Sequence, residues 1–192
     1  MKNWSKVVLT VALGLTLATG ALAEWKPVKL DTVHSRIGFT ASTLLFDVDG
    51  HFGKYELQLD GDPAKLNEAK VTLSIDAATI DTDNAKRDEH LSSPDFLDVK
   101  KYPKITFVSE SIAPSGNTVN VAGTLDLHGQ KKKVTIPFKM VRGKNGAGMD
   151  TTAFKGKLTI NRNDFGVGAG SVAAKISLEN EVSIDLLIVS FL

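Results

Sequence analysis

The chain has 192 residues with 23 basic and 22 acidic side chains, a balance that leaves no electrostatic case for nucleic-acid binding. It contains no cysteine, which excludes disulfides, iron–sulfur clusters and thiol chemistry. A chain of this length can bury a substantial core within one domain.

Residues 1–23 read as a secretory signal. Lys2 and Lys6 form a basic start, Val7 to Ala18 an apolar run, and Ala21-Leu22-Ala23 a small-x-small cleavage site ahead of Glu24. The apolar run is about a dozen residues, short of the roughly 20 that a bilayer span needs. Cleavage predicts a periplasmic product of 169 residues, 24–192, with 21 basic against 22 acidic side chains, forming a single domain. Trp25 to Leu30 is a plausible first strand, with Pro27 tolerable near an edge. A turn at Asp31 to Ser35 leads to a strand in which Ser35, Ile37, Phe39 and Ala41 share a face. Leu44-Leu45-Phe46 forms an apolar tip bounded by Asp47, Asp49 and Gly50, and a strand with Tyr55, Leu57 and Leu59 facing together follows. Gly61-Asp62-Pro63 breaks it, and Val71, Leu73, Ile75 and Ala77 alternate in the next.

Residues 84–98 then interrupt the period of two. Asn84 caps a short helix running through Leu91, and Pro94 stops it by lacking an amide donor and disfavouring helical geometry at Ser93. Asp95 is expected to cap a further turn carrying Phe96 and Leu97, before Tyr102-Pro103 leads into a strand over Lys104–Ser111. A long charged connection of this kind inside a compact domain suits a lid or plug. Beyond it, Val119, Val121, Gly123, Leu125 and Leu127 line one strand face, and Val134, Ile136, Phe138 and Met140 the next. Phe154, Gly156, Leu158 and Ile160 alternate, Gly166 to Gly170 reads as a glycine-rich turn, and a last strand runs from about Lys175 to Leu192. The pattern is all-β: an antiparallel eight-stranded barrel with a short helical insertion around residues 84–98, closure removing the exposed edges. A two-sheet sandwich is the alternative.

Several short motifs recur in fixed order: Asp31-x-x-His34-Ser35, Gly50-x-Phe52, Arg87-Asp88-x-His90-Leu91, Asp95-Phe96, Tyr102-Pro103-x-Ile105-x-Phe107, Gly123-x-Leu125-x-Leu127-x-Gly129 and Asn161-Arg162-x-Asp164-Phe165-Gly166. As an ordered set, covering essentially the whole chain after residue 23, they resemble the YceI family. The resemblance implies a secreted lipocalin-like barrel that carries or sequesters an isoprenoid lipid, such as a quinone or a polyprenyl phosphate. It does not specify the ligand of this member.

Periodicity alone does not separate a filled barrel from a hollow one. Gly38, Gly50, Gly53, Gly123, Gly129, Gly156 and Gly166 help the sheet bend and leave volume. In a hollow barrel the tail would contact Phe39, Phe107, Leu125, Phe138 and Ile160, while Phe46, Leu91 and Phe96 would line the entrance. Arg87, His90 and Arg162 are the candidates for a head group, because a guanidinium fork suits phosphate. Each arginine has a bland reading too, Arg87 pairing with Asp88 or Asp83 and Arg162 with Asp164. The Leu44-Leu45-Phe46 tip is expected to tuck over the barrel mouth, transient membrane contact being the other use for it.

No enzyme motif competes well. His34, His51, His90 and His128 lack metal-ligand spacing, and His34 and Ser35 would point to opposite faces of a strand. No Gly-x-Ser-x-Gly elbow exists, and Gly166-x-Gly168-x-Gly170 lacks phosphate-loop spacing with no helical segment clearly following. Lys131-Lys132-Lys133 reads as a solvated hairpin shoulder. The expectation is a binding protein with no catalytic residues, metal or cofactor. Its rivals are an enzyme using rim histidines and aspartates on lipid-like substrates, and a packed barrel acting through protein partners. Oligomeric state is left open.

Overall fold

A computed structural model describes residues 29–61 and 65–191. The predicted leader and most of the strand predicted over residues 25–30 lie outside the described residues, as do residues 62–64.

Eleven strands form one antiparallel sheet. They are β1 (Lys29–Leu30), β2 (Arg36–Thr43), β3 (Asp47–Phe52), β4 (Tyr55–Asp60), β5 (Lys70–Asp76), β6 (Ile80–Asp81), β7 (Lys104–Ser115), β8 (Thr118–Leu127), β9 (Gln130–Lys144), β10 (Asp150–Asn161) and β11 (Leu178–Phe191). Two helices interrupt them, α1 (Ala85–Ser92) and α2 (Val172–Ser177). Neighbours run in the order β4-β5-β7-β8-β9-β10-β11-β2-β3-β6, with β1 beside β11.

The two ends of that path are parts of the same pair of bent strands. β3 and β4 are two arms of one strand kinked at Gly53 and Lys54, and β5 and β6 are two arms of the next, kinked at a 3-10 turn over Ala77–Thr79. Across the bend Gly53 N–H donates to Thr79 O and Asp76 N–H to Lys54 O, each at 3.0 Å. Asp76 shapes the kink, its Oδ1 accepting from Ala78 N–H at 3.3 Å and its carbonyl from Thr79 Oγ1 at 2.7 Å. The sheet therefore curls round on itself as a barrel. Eight strands were expected; among the described residues eleven are present, two of the barrel strands each being divided by a bend.

Two stretches correct the sequence reading. Asp47 and Gly50 lie inside β3, where Asp49 faces outward and accepts from the Thr40 hydroxyl across the pair at 2.6 Å. A helix also precedes the last strand: Ser171 Oγ accepts from Ala174 N–H at 3.2 Å, capping α2 over a run containing two alanines, and β11 starts only at Leu178.

At α1 the expected cap is present, with Asn84 Oδ1 accepting from Arg87 N–H at 3.1 Å, and the helix ends before Pro94. The following turn is held by Ser93 instead of Asp95. Ser93 Oγ accepts from Asp95 N–H at 3.3 Å, and its carbonyl accepts from the Phe96 and Asp98 amides at 3.0 and 2.9 Å. Strand direction places α1, α2, the β2–β3 tip and the β8–β9 turn at one end of the barrel, called here the helical end. The β7–β8 and β9–β10 turns and β1 lie at the other.

Candidate functional site

Alternate residues of each strand point inward and leave apolar-lined space among them. Two chambers lie end to end, one at the helical end and one at the other. Leu73, Phe107, Ile136 and Leu186 border both, so these four stand as a waist between the two chambers. Arg162 is the sole charged or hydrogen-bonding side chain lining the first chamber, and Ser190 the sole one lining the second.

Glycines opposite aromatic rings keep the bore open. Phe39 pairs with Gly50 and Phe138 with Gly156 across neighbouring strands, and Gly123 sits diagonally from Phe107 on β8. A Cβ at these glycines would lie 2.4 Å from the Phe39 ring, 2.5 Å from the Phe138 ring and 2.7 Å from the Phe107 ring. Each ring therefore lies back over a bare stretch of wall where any other residue would push it towards the axis.

Arg162 follows β10, opening a 3-10 turn over Arg162–Phe165, and is only 4% exposed. Its position follows from a break in the β2–β11 ladder: Thr43 pairs with Leu178 and Ala41 with Val182, leaving residues 179–181 to bulge. The carbonyls released by this bulge and by the end of α2 converge on the guanidinium. Nε donates to Glu179 O at 2.9 Å, and Nη2 to Ala174 O at 3.1 Å and Leu178 O at 3.2 Å, with Asn180 Oδ1 at 3.4 Å. Nη1 donates to Val167 O at 3.0 Å. No carboxylate pairs with Arg162 among the described residues. Burial accordingly pulls its pKa below the usual guanidinium value. Gly168, at φ +78°, passes where a Cβ would stand 2.9 Å from Nη1 and 3.3 Å from Phe96, so the glycine-rich turn is explained by close packing over the arginine.

The residues singled out from the sequence are distributed as follows. Phe39, Leu125, Ile160, Leu91 and Phe96 line the chamber at the helical end, Phe138 lines the other, and Phe107 stands at the waist. Phe46 does not line the entrance; it is exposed with Leu44 and Leu45 on the β2–β3 tip, because Thr43 Oγ1 accepts from the Leu45 and Phe46 amides and holds a tight turn pointing outward. Arg87 lies outside the bore, its Nε donating to Thr82 Oγ1 at 2.7 Å and its Nη2 to Thr82 O at 2.6 Å, while Asp88 holds the same threonine. His90 is exposed, 3.5 Å from Asp95 Oδ2 and edge-on to the Phe96 ring. The three candidate head-group residues therefore do not converge; of them Arg162 alone borders a chamber, and its guanidinium is turned to the carbonyls around it, leaving no polar surface in the chamber wall. Leu73, Ile136 and Leu186 were legible as inward-facing but not as a waist, since that depends on which strands lie opposite.

The histidines are dispersed. His34 Nδ1 meets Asp31 Oδ2 at 2.6 Å in the β1–β2 turn, and Ser35 Oγ is occupied by Val189 N–H at 2.9 Å. His128 Nδ1 lies 3.0 Å from Phe165 O and its ring stacks edgewise on Tyr102. Lys131 and Lys133 are solvated and pair with Asp126 and Glu110 on the outer wall.

Comparison with known proteins adds a lineage to this geometry. A family model described as a YceI-like domain matches residues 28–189. A UPF0312 protein of Pseudomonas putida is 34% identical over 185 residues, covering 92% of this chain and 95% of its own length. The crystal structure of Burkholderia cenocepacia BcnA superposes with a TM-score of 0.75 at 33% identity, over 84% of this chain and 99% of that one. A polyisoprenoid binding domain from Saccharophagus degradans, implicated in plant cell wall breakdown, has the same fold at a TM-score of 0.68 and 16% identity, over 85% of this chain and 97% of that one.

Proposed function

The chain belongs to the YceI-like domain family, and from that premise we propose that it is a non-enzymatic carrier or sequestering protein for one isoprenoid-type amphiphile, working in the periplasm. The observation that carries the reading is the bore itself: two hydrocarbon-walled chambers joined at the waist of Leu73, Phe107, Ile136 and Leu186. Such a wall rewards any buried alkyl chain by about 0.8 kcal/mol per methylene, less the ordering cost of binding. It makes few demands on the tail beyond length. The binding attributed to the Saccharophagus degradans domain, on the same fold, agrees with a prenyl chain. The leader predicted over residues 1–23 supports export.

In this reading the tail runs from Phe39, Leu125 and Ile160 past Phe107 to Phe138. Leu91 and Phe96 close over its near end. The head rests at the helical end beside Arg162, whose guanidinium is not open to the chamber in this structure but whose Nη1 has one protein acceptor for two hydrogens. An acceptor oxygen on a quinone ring or a phosphate would complete that set. Mass spectrometry of lipid extracted from protein purified from its own cells tests the proposal. A stoichiometric prenyl-chain compound is expected, and repeated recovery of an empty barrel, or of one filled only by short fatty acids, would refute it.

A further inference from the structure

Eight large apolar side chains are strongly exposed among the described residues, and five of them gather at the helical end. Leu44, Leu45 and Phe46 occupy the β2–β3 tip, and Val172 and Ile176 stand one turn apart on α2, all between 60% and 90% exposed. The two groups form one surface, because Leu44 N–H donates to Ser177 O at 3.2 Å and Thr43 pairs with Leu178. α2 already buries Ala174 on its inner side, at 3% exposure. Its two branched residues thus face outward where polar ones would serve the fold equally well. An apolar cluster of this kind on a small barrel marks an interaction surface.

What it contacts follows from what it adjoins. Leu178, the residue directly after α2, and Ala41, three residues before Leu44, line the chamber at this end. The exposed apolar tip and α2 therefore stand at the rim of this chamber, a few residues along the chain from side chains that line it. We infer that the β2–β3 tip and α2 dock the barrel onto a lipid bilayer, so that an amphiphile crosses between membrane and bore without exposing its tail to water. The inference rests on the carrier reading for its purpose, though not for its geometry. The charges beside the patch in sequence are mixed, Asp47, Lys175 and Glu179, and at the same end Lys131 and Lys133 are paired with Asp126 and Glu110. Docking is thus by insertion of apolar side chains and needs no anionic lipid.

The absence of native cysteine makes the test clean. Single-cysteine variants Leu45→Cys and Ile176→Cys, with Met149→Cys at the opposite end as control, are made in the full chain and labelled with an environment-sensitive fluorophore. Each is mixed with phosphatidylcholine–phosphatidylethanolamine vesicles. Emission at positions 45 and 176 should rise at least threefold and shift to the blue, undiminished by salt, while position 149 stays near its starting value. The triple variant Leu45→Ser, Phe46→Ser, Ile176→Ser should lower the vesicle-bound fraction at least tenfold with an unchanged melting curve. Equal responses at all three positions, no response at 45 and 176, a requirement for anionic lipid, or a rise with protein concentration alone (a second copy covering the patch) would each overturn the inference. Lipid content measured on the same samples separates the two proposals. A lipid-free barrel that still docks removes the carrier reading alone, and a lipid-filled one that does not dock removes the docking alone.

Discussion

Replacing Gly156 by alanine tests whether the glycine-backed rings keep the bore open. The added methyl would stand 2.5, 2.7 and 3.0 Å from three atoms of the Phe138 ring, against an ordinary carbon–carbon contact of about 3.5–4.0 Å. The ring must move by about 1 Å or more, and the free space lies towards the axis of the chamber that it lines. Because the ring has somewhere to go, the folded state should lose no more than about 1 kcal/mol, below the 1–3 kcal/mol of overpacking in a tight core. The ligand should suffer more. If the displaced ring denies it the space of three methylenes, at about 0.8 kcal/mol each, affinity falls by about 2.4 kcal/mol, or roughly sixtyfold. The assay is a titration with prenyl compounds of increasing chain length. Short chains that stop before the waist should bind Gly156→Ala as they bind the native protein, and long chains should weaken. Adding Phe138→Leu should restore long-chain binding. Equal weakening at every length, or no rescue, would refute the idea that this glycine sets the usable length of the bore. Gly156 suits this test better than Gly123, where a Cβ would stand 2.3 Å from the Val108 carbonyl and the backbone would have to shift.

Arg162→Met should cost about 3–5 kcal/mol in urea unfolding, because it strands the carbonyls of Val167, Ala174, Leu178 and Glu179 around a site that had been filled by a charge. Arg162→Lys should recover little of this, since one ammonium cannot span carbonyls arranged for a fork. Arg87→Ala should lower the unfolding midpoint by loosening Thr82 and α1 while leaving ligand affinity and head-group preference within twofold of native; a large change in head-group preference would return Arg87 to the binding site. Phe107→Asp places a carboxylate at the waist, and should either prevent folding or abolish lipid loading on mass spectrometry. Lys132→Glu on the exposed β9 shoulder should do neither, and normal loading of the Phe107→Asp protein would mean that the facing of β7 has been misread.

Several features were legible from residue order because they are local. Facing within a strand alternates with every residue, so Ile105 and Phe107, or Leu158 and Ile160, could be placed on the inner wall without knowing what lay across from them. The α1 start was similarly readable, since Asn84 caps a neighbour three residues on. The reading faltered where a residue's role is assigned by distant chain. The polar alternation of β3 looked like a loop because Asp47 and Asp49 are poor strand formers, and only pairing with β2 makes them the outer face. Arg87 and Arg162 read alike, as head-group candidates that could equally be paired with a neighbouring carboxylate. The fold ties the first to Thr82 and surrounds the second with the carbonyls of the bulge and α2.

Residue order by itself settled which side chains would turn away from water, because pleat and hydrophobicity are carried by each short segment. Hollowness is different in kind. It depends on register between strands, which brings Gly50 opposite Phe39 and Gly156 opposite Phe138 so that the rings lie flat on the wall. The same inward residues in another register would have met across the axis and filled it, and that choice is made only when the sheet closes.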